Sequence, residues 1–217
     1  MQSYIFDLDG TLIHSAPDIQ AAINTALLEI ERPPLDLSTV ISFIGNGVER
    51  LVQRSLHATG GTSEPLQRDT LRAFMDSYNA DPFSRTTPYP GVVDCLTQLR
   101  NSGHKLAICT NKPVEPARHI CAELDLAPFF DVIAGAAPGI AKKPNAEPLL
   151  QVMHALGSTR QNTLYVGDST VDQATAHNAD VPFVLFSGGY LNAPLADPPP
   201  ILTFDDWTQD WTQTIAT

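Results

Sequence analysis

The spacing of hydrophobic residues changes along this chain. Residues 4–8 form a short apolar run that stops at Gly10, and because the run is too short for a helix it predicts a buried strand. From about residue 15 to about residue 85, apolar side chains recur at the spacing of amphipathic helices. No strand candidate interrupts this second stretch, so the first strand has no partner close to it in the sequence.

After residues 88–91, which read Pro-Tyr-Pro-Gly, predicted helices alternate with short apolar runs. The predicted strands cover residues 105–109, 130–134, 163–166 and 183–186, and the predicted helices cover residues 92–100, 114–126, 146–156 and 171–179. Such alternation is typical of a parallel sheet covered by helices. We therefore expect an α/β fold with a Rossmann-like parallel sheet core, formed by residues 1–14 and 86–217. A small all-helical cap domain, residues 15–85, is inserted after the first strand.

The composition excludes some classes of protein. The chain has 217 residues and a formal net charge of −11, which argues against nonspecific nucleic-acid binding because that needs a basic surface. A small anionic ligand remains compatible with this charge, since a local cationic site can outweigh a negative average. The three cysteines have no zinc-ligand spacing, and we expect them to be buried thiols in a reducing compartment.

The N-terminus and the hydropathy of the chain bear on its location. Residues 1–10 contain no basic segment followed by a long apolar one, so no signal peptide is expected. No apolar run approaches the length of a membrane span, so no membrane partner is expected either. These features favour the cytoplasm, and they leave the oligomeric state open between a monomer and a homodimer.

Polar residues follow the predicted strands at the points where these strands end. Ligands of open parallel sheets bind outside the carboxyl ends of the strands, so we expect these residues on one rim. In chain order they are Asp7 and Asp9; Thr110, Asn111 and Lys112; Lys142 and Lys143; Gly167, Asp168, Ser169 and Asp172; and Gly188 and Gly189. Clustered carboxylates suit Mg²⁺, whereas lysine, hydroxyl and backbone N–H groups suit phosphate.

Each of these segments also has a purely structural explanation. An Asp-x-Asp-Gly stretch is often a turn, a residue such as Asp168 often caps a helix, and a Lys-Lys-Pro segment is usually a solvated loop. Their coincidence at the ends of separate strands favours a site that holds a metal ion and a phosphoryl group. The two belong together, because a phosphoryl group approaches an anionic nucleophile more easily when its charge is offset.

Four segments give the chain a resemblance to the haloacid dehalogenase-like hydrolase superfamily. In order they are Asp7-Leu8-Asp9-Gly10-Thr11, Thr110-Asn111, Lys143-Pro144 and Gly167-Asp168-Ser169-Thr170-Val171-Asp172. The match spans nearly the whole chain, and the first and fourth segments, taken together, are highly specific for this superfamily. The helical stretch of residues 15–85 is similar to the small helical cap of that superfamily.

Within the superfamily, the chain resembles the phosphoglycolate phosphatase subgroup. The segments that carry this resemblance are Ser15-Ala16-Pro17-Asp18, Gly45-Asn46-Gly47 with residues 48–52, Tyr89-Pro90-Gly91 and Gly188-Gly189-Tyr190. An ordinary turn before a helix is the alternative explanation of the Gly-Asn-Gly segment. The chain departs from the subgroup at His14, where a carboxylate is usual, at Asp180, where glycine is usual, and at residues 145–148. These departures remove no catalytic group but leave the exact substrate open.

The resemblance implies a role for each site residue. Asp7 would be the nucleophile that forms an aspartyl-phosphate, and Asp9 would protonate the leaving group and then activate water. Mg²⁺ would be held by the Asp7 carboxylate, the Asp9 carbonyl and the Asp168 carboxylate, and Lys143 would offset charge in the transition state. The other assignments are phosphate binding by Gly10, Thr11, Thr110, Asn111 and Lys143, substrate binding by Gly45, Asn46 and Gly47, and support of the metal ligands by Ser169 and Asp172.

Three basic residues near these segments are expected to lie outside the site. Lys112 contributes to the electrostatic field without contacting the reacting groups, and Lys142 is solvated. His14 is a partly buried structural residue, with a contact to the substrate as the alternative.

The predicted activity is Mg²⁺-dependent hydrolysis of a small phosphorylated metabolite, with 2-phosphoglycolate as the favoured substrate. A sugar-phosphate or amino-sugar-phosphate phosphatase of the same superfamily is the first alternative. A non-enzymatic scaffold that binds a phosphorylated ligand or a protein is the second. A phosphonate-cleaving enzyme would need a cap lysine for imine chemistry, and residues 15–88 contain no lysine. Asp9 and Thr11 match the phosphate branch and disfavour a carbon–halogen hydrolase, whereas a mutase stays open.

Overall fold

The computed structural model describes residues 1–81 and 83–212, and the chain divides into two compact units. One unit contains residues 1–14 and the chain from residue 88 onward, and the other contains residues 15–87. The strands are β1 (Ser3–Phe6), β2 (Ile13–His14), β3 (Thr87–Pro88), β4 (Lys105–Pro113), β5 (Val132–Ala136), β6 (Thr163–Gly167), β7 (Phe183–Phe186) and β8 (Leu202–Phe204). Six of them form one parallel sheet in the order β5-β4-β1-β6-β7-β8.

The N-terminal strand β1 lies in the middle of this sheet. All four of its residues are buried, and Ile5 and Phe6 are completely so, which is the burial expected of a strand covered on both faces. Ser3 pairs with Lys105 of β4 on one side and with Thr163 of β6 on the other. The expectation that the first strand joins a sheet formed by later residues is therefore confirmed.

In its described residues, the same unit contains the α-helices α5 (Val92–Asn101), α6 (Val114–Glu123), α7 (Glu147–Leu156) and α8 (Thr170–Ala179). Short 3-10 turns occur at residues 127–129 and 160–162. Apolar residues of α7, such as Leu149 and Val152, pack with Ile5 and Tyr165 of the sheet in one core cluster. Asp180 directly follows α8, and its φ of 55° is left-handed, so aspartate here adopts a conformation that glycine takes most easily.

The second unit is helical, with α1 (Ala16–Glu29), α2 (Leu37–Ile41), α3 (Val48–Ala58) and α4 (Glu64–Ala80). Its core contains Ile23, Leu27, Val52, Leu56 and Phe74, which come from the apolar faces of α1, α3 and α4. The short helix α2 was not predicted. Ser15 directly precedes α1, but its side chain does not cap the helix.

Asp18 links the two ends of this helical unit. Its side chain is fully buried and accepts hydrogen bonds from Thr86 Oγ1 at 2.6 Å and from the Arg85 amide at 3.1 Å. The acidic residue of the Ser-Ala-Pro-Asp segment therefore holds the first turn of α1 against residues 85 and 86.

Aromatic residues of the C-terminal segment pack against the sheet. Trp207 and Trp211 are both buried, and Trp211 stacks on Phe204 at a ring distance of 4.8 Å. Strand β8, which contains Phe204, was not predicted and extends the sheet beyond β7. Residues 213–217 lie outside the described part of the chain.

The α/β fold class, a Rossmann-like parallel sheet core with helices, is confirmed. The three cysteines are buried and free, which also matches the expectation. Across residues 1–81 and 83–212, no helix combines the length and the apolar character that a membrane crossing requires.

Candidate active site

The carboxyl ends of neighbouring strands bring the acidic residues of the first and fourth segments together. Asp7 directly follows β1, Asp168 directly follows β6, and Asp172 lies in the first turn of α8. Oxygen atoms of these three residues lie within 4.8 Å of one another, and all three side chains are buried. Residues separated by about 160 positions in the sequence thus form a single acidic cluster on the rim.

Lys143 lies inside this acidic cluster. Its Nζ atom is 2.9 Å from Asp7 Oδ1, 2.6 Å from Asp172 Oδ1 and 2.8 Å from the Tyr165 hydroxyl. Burial lowers the pKa of Lys143, but the carboxylates of Asp172 and Asp7 outweigh that effect and hold the pKa above its ordinary value. The residue therefore places a permanent positive charge beside Asp7.

Asp172 is committed to neighbouring protein groups through both of its oxygens. Oδ1 accepts from Lys143 Nζ and from the Tyr165 hydroxyl, which lies 3.0 Å away. Oδ2 accepts from the amide and the hydroxyl of Ser169, at 3.1 Å and 2.5 Å, in a capping box that begins α8. These bonds make Asp172 a residue that fixes Lys143 in place.

Asp168 is held from two sides. The Thr11 hydroxyl donates to Oδ1 at 2.7 Å, and the Tyr190 amide donates to Oδ2 at 2.7 Å. Burial raises the pKa of Asp168 well above its ordinary value, and the carboxylates of Asp172 and Asp7 raise it further. Burial likewise raises the pKa of Asp7 to about 6, although Lys143 acts in the opposite direction.

The acidic cluster fits a divalent cation of the Mg²⁺ type. Its donors are hard carboxylate oxygens, and three buried carboxyl groups share one ammonium group, so a bound cation would offset the repulsion that helps to raise the pKa of Asp7 and of Asp168. Asp7 Oδ1 is buried without a well-directed hydrogen bond, which leaves it able to bind a further positive ligand. Each Asp172 oxygen already accepts two hydrogen bonds, whereas the bonds shown for Asp168 use one lone pair on each oxygen, so Asp7 and Asp168 are the members best placed to bind a metal.

Gly10 allows these groups to pack closely. Its φ is +87°, and a Cβ atom at this position would collide with Asp168 Oδ2 and would lie 2.7 Å from Tyr190 Cδ2. Gly189 is equally confined, since a Cβ atom there would collide with the Gly10 carbonyl oxygen and with Asp168 Cβ. Neither position accepts a side chain without moving Asp168.

Thr110 and Asn111 lie on β4 at the same rim, and both are buried. The Asn111 side chain donates to the Lys143 carbonyl at 3.0 Å and accepts from the Lys143 amide at 2.9 Å. This pair of bonds fixes the loop that carries Lys143. The side-chain amide of Asn111, a residue that the sequence predicted to bind phosphate, is thus bonded to the protein itself.

Lys112 lies closer to the acidic residues than the sequence suggested. Its Nζ atom is 3.0 Å from Asp9 Oδ1 and 3.3 Å from Asp9 Oδ2, and its side chain is 5% exposed. The feature of the sequence that could have indicated this place is the position of Lys112 directly after Thr110 and Asn111. Tyr165, which binds Lys143, had no comparable signal, because an aromatic residue within a strand usually indicates packing alone.

The Gly-Asn-Gly segment belongs to the helical unit. Gly45 and Gly47 have φ values of 109° and 84°, and Gly47 directly precedes α3. A groove of about 640 Å³ is lined by Phe43, Asn46, Arg50, Gln53, Arg54 and His57. The segment is thus a turn before a helix, and it also borders a groove that contains two arginines.

Two curated proteins are similar to this chain over most of its length. A curated protein of Cereibacter sphaeroides (strain ATCC 17025 / ATH 2.4.3), named phosphoglycolate phosphatase, is 44% identical over 200 residues, which cover 92% of this chain and 91% of the relative. A protein of the same name from Rhodospirillum rubrum is 38% identical over 97% of this chain and 90% of its own length.

A solved structure and a family match complete the comparison. The crystal structure of a protein from Haemophilus somnus 129PT, described as a predicted phosphoglycolate phosphatase, superposes with a TM-score of 0.91 at 30% identity, covering 100% of this chain and 98% of that one. Residues 4–186 match the family described as haloacid dehalogenase-like hydrolase, which includes all four predicted segments. The chain therefore belongs to the haloacid dehalogenase-like hydrolase family.

Proposed function

We propose that this protein is a Mg²⁺-dependent phosphomonoesterase that hydrolyses 2-phosphoglycolate to glycolate and phosphate. The observation that carries the proposal is the buried cluster in which Lys143 Nζ lies 2.9 Å from Asp7 while Asp168 is held beside it. Family membership and the name shared by the curated relatives support the reaction and the substrate.

The metal would be bound by the Asp7 and Asp168 carboxylates and by the backbone carbonyl of Asp9. Mg²⁺ in this position supplies positive charge that offsets the charge of the phosphoryl group. Thr11 and the Tyr190 amide keep the two oxygens of Asp168 fixed, so its carboxylate needs little reorganisation on binding.

Asp7 acts as the nucleophile. One of its carboxylate oxygens attacks phosphorus, the bond from phosphorus to the glycolate oxygen breaks, and an aspartyl-phosphate forms on Asp7. Lys143 offsets negative charge during this step, and it cannot move away because Asp172 and Tyr165 hold its ammonium group. Thr110, through its hydroxyl, and Asn111 bind phosphate oxygens, whereas Gly10, whose N–H donates to the Ile13 carbonyl at 2.9 Å, shapes the turn after β1.

Asp9 transfers the protons. It gives a proton to the departing glycolate oxygen, and it then takes one from the water that attacks the phosphorus of the aspartyl-phosphate. That second attack releases inorganic phosphate and restores the Asp7 carboxylate. Lys112, at 3.0 Å from Asp9, fixes the direction in which its carboxyl group points.

We further propose that residues of the helical unit select the substrate. Of the Gly45-Asn46-Gly47 segment, Asn46 lines the groove together with Arg50 and Arg54, and the positive charge of these two arginines suits the carboxylate of 2-phosphoglycolate. A sugar phosphate carries hydroxyl groups instead of this carboxylate. The reaction would take place in the cytoplasm, which agrees with three free buried cysteines, in a monomer or a homodimer.

A panel of phosphorylated substrates tests the proposal. Phosphate release is measured from 2-phosphoglycolate, hexose phosphates, amino-sugar phosphates and p-nitrophenyl phosphate, each with Mg²⁺ and with EDTA. We expect release that requires Mg²⁺, the largest kcat/KM for 2-phosphoglycolate, and no turnover by Asp7→Asn. Equal or faster turnover of hexose phosphates would refute the assignment of 2-phosphoglycolate as the substrate. An absence of phosphate release from every compound would refute the phosphatase activity and favour a non-enzymatic scaffold.

A further inference from the structure

Tyr190 contacts the acidic rim in three ways. Its amide donates to Asp168 Oδ2 at 2.7 Å, and its ring packs so closely on Gly10 that a Cβ atom there would lie 2.7 Å from Cδ2. Its hydroxyl lies 3.0 Å from His14 Nδ1. Backbone, ring and hydroxyl of one residue therefore connect Asp168, the turn after β1 and His14.

His14 is partly buried among aromatic rings. The ring of Tyr190 lies edge-on to it at 5.8 Å, and the ring of Tyr89 lies 6.0 Å away. Burial lowers the pKa of His14, which favours the neutral imidazole at neutral pH. Tyr89 also makes a side-chain hydrogen bond with Tyr190, so the Tyr190 hydroxyl is held by two neighbours.

The segment before Tyr190 has no side chain of its own to hold it in place. Residues 188 and 189 are both glycine, and Gly189 is confined by the Gly10 carbonyl and Asp168 Cβ. The Tyr190 side chain, which is buried, is therefore the anchor nearest to the amide that binds Asp168. A displacement of this side chain would move the amide and release one oxygen of Asp168.

From these contacts we propose that His14 is a positioning residue for the metal site. Through the hydroxyl of Tyr190 it fixes the Tyr190 amide, and this amide orients the Asp168 carboxylate for binding Mg²⁺. The inference rests on the proposed metal site and deepens it. It also gives a role to His14, one of the positions at which this chain departs from the subgroup that it resembles, and that role does not require His14 to contact the substrate.

Calorimetric titration of the metal-free protein with Mg²⁺ tests this role without measuring turnover. We expect His14→Ala and Tyr190→Phe each to bind Mg²⁺ about tenfold more weakly than the unaltered protein. His14→Asn keeps a polar group near the position of Nδ1 and restores most of the affinity. Because His14 acts only through the Tyr190 hydroxyl, the double variant should bind Mg²⁺ no more weakly than Tyr190→Phe alone.

His104→Ala is the matched control. Like His14, His104 is partly buried, has a pKa lowered by burial and lies edge-on to a tyrosine ring. It accepts a hydrogen bond from the Gln2 amide. It directly precedes β4, however, and so lies at the end of that strand opposite to Thr110 and Asn111. The His104→Ala variant should bind Mg²⁺ as tightly as the unaltered protein. Unchanged affinity in His14→Ala and Tyr190→Phe would overturn the inference, as would additive losses in the double variant. Absence of Mg²⁺ binding in the unaltered protein would overturn the metal site itself.

Discussion

The ammonium group of Lys112 lies 3.0 Å from the carboxylate of Asp9, a residue 103 positions earlier in the chain. Both side chains are largely buried, at 5% and 12% exposure, so solvent screens this ion pair less than a surface pair. Asp9 must reach both a leaving oxygen and a water molecule in the proposed reaction. A partner that fixes its carboxylate therefore bears directly on catalysis.

Replacement of Lys112 by methionine removes this ion pair and keeps the length of the side chain. We expect kcat to fall by about 10- to 100-fold, because the carboxyl group of Asp9, the proposed general acid and base, is no longer held in one orientation. Lys105→Met is the matched control, since Lys105 is on the same strand but its ammonium group binds the Leu156 carbonyl at the opposite end. Steady-state kinetics that give equal kcat values for both variants would show that Lys112 has no catalytic importance.

Replacement of Gly10 by alanine tests the close packing around Asp168. The added Cβ atom would collide with Asp168 Oδ2, so we expect Mg²⁺ binding to weaken by about 10- to 100-fold. Gly103 has a similar φ of +77° but no atom within 4 Å of the added Cβ. Gly103→Ala should therefore reduce the free energy of unfolding by about 1 kcal/mol and leave Mg²⁺ affinity unchanged. Calorimetry and urea unfolding separate the two outcomes, and weakened binding in both variants would contradict this explanation.

The raised pKa of Asp7 predicts how the stability of the metal-free protein depends on pH. Burial holds this carboxyl at a pKa of about 6 in the folded protein, against 3.8 ordinarily, and Lys143 only partly opposes the shift. A folded state that binds the proton more tightly is favoured at low pH. The contribution of Asp7 to stability is therefore present below pH 3.8 and is lost as pH rises to about 6.

Asp7→Asn removes this titration while preserving the shape of the side chain. Urea unfolding in EDTA at several pH values should show a smaller loss of stability for Asp7→Asn than for the unaltered protein as pH rises from about 4 to about 6. Mg²⁺ should stabilise the unaltered protein more at the higher pH, because its carboxylate ligands must be ionised. Identical pH profiles for the two proteins in EDTA would contradict the burial of an ionisable Asp7.

The groove on the helical unit predicts an effect on substrate choice. Arg50→Ala removes one of its two positive charges, so KM for 2-phosphoglycolate should rise by about tenfold. KM for p-nitrophenyl phosphate, which has no carboxylate, should change little. Arg72→Ala is the control, because Arg72 is exposed and pairs with Asp69 on its own helix. An equal change in KM for both substrates would argue against recognition of the carboxylate.

Much of the rim could be predicted from the sequence because it depends on local pattern. Short apolar runs identify the strands, and the residues after each run must lie at the carboxyl edge of a parallel sheet. Asp7, Thr110 and Asp168 were placed on one rim in this way, although their chemical roles stay predictions. The same pattern predicted a buried first strand, and Ile5 and Phe6 are completely buried.

The pairing of individual side chains could not be predicted in the same way. Which lysine reaches which carboxylate depends on three-dimensional packing, so Lys112 was expected outside the site and yet lies beside Asp9. The same limit applies to Trp207, whose indole N–H donates to the Thr11 carbonyl at 3.1 Å from 196 positions away. Strand β8 was missed because only three residues form it, too few for a periodic pattern.

Chemical trapping of the phosphorylated protein tests the central claim most directly. The protein is mixed with 2-phosphoglycolate and Mg²⁺, quenched with borohydride, which reduces an aspartyl-phosphate to homoserine, and digested for peptide sequencing by mass spectrometry. We predict homoserine at position 7 in the unaltered protein and none in Asp7→Asn. Release of phosphate from 2-phosphoglycolate with homoserine at another position, or with no homoserine at all, would contradict Asp7 as the nucleophile.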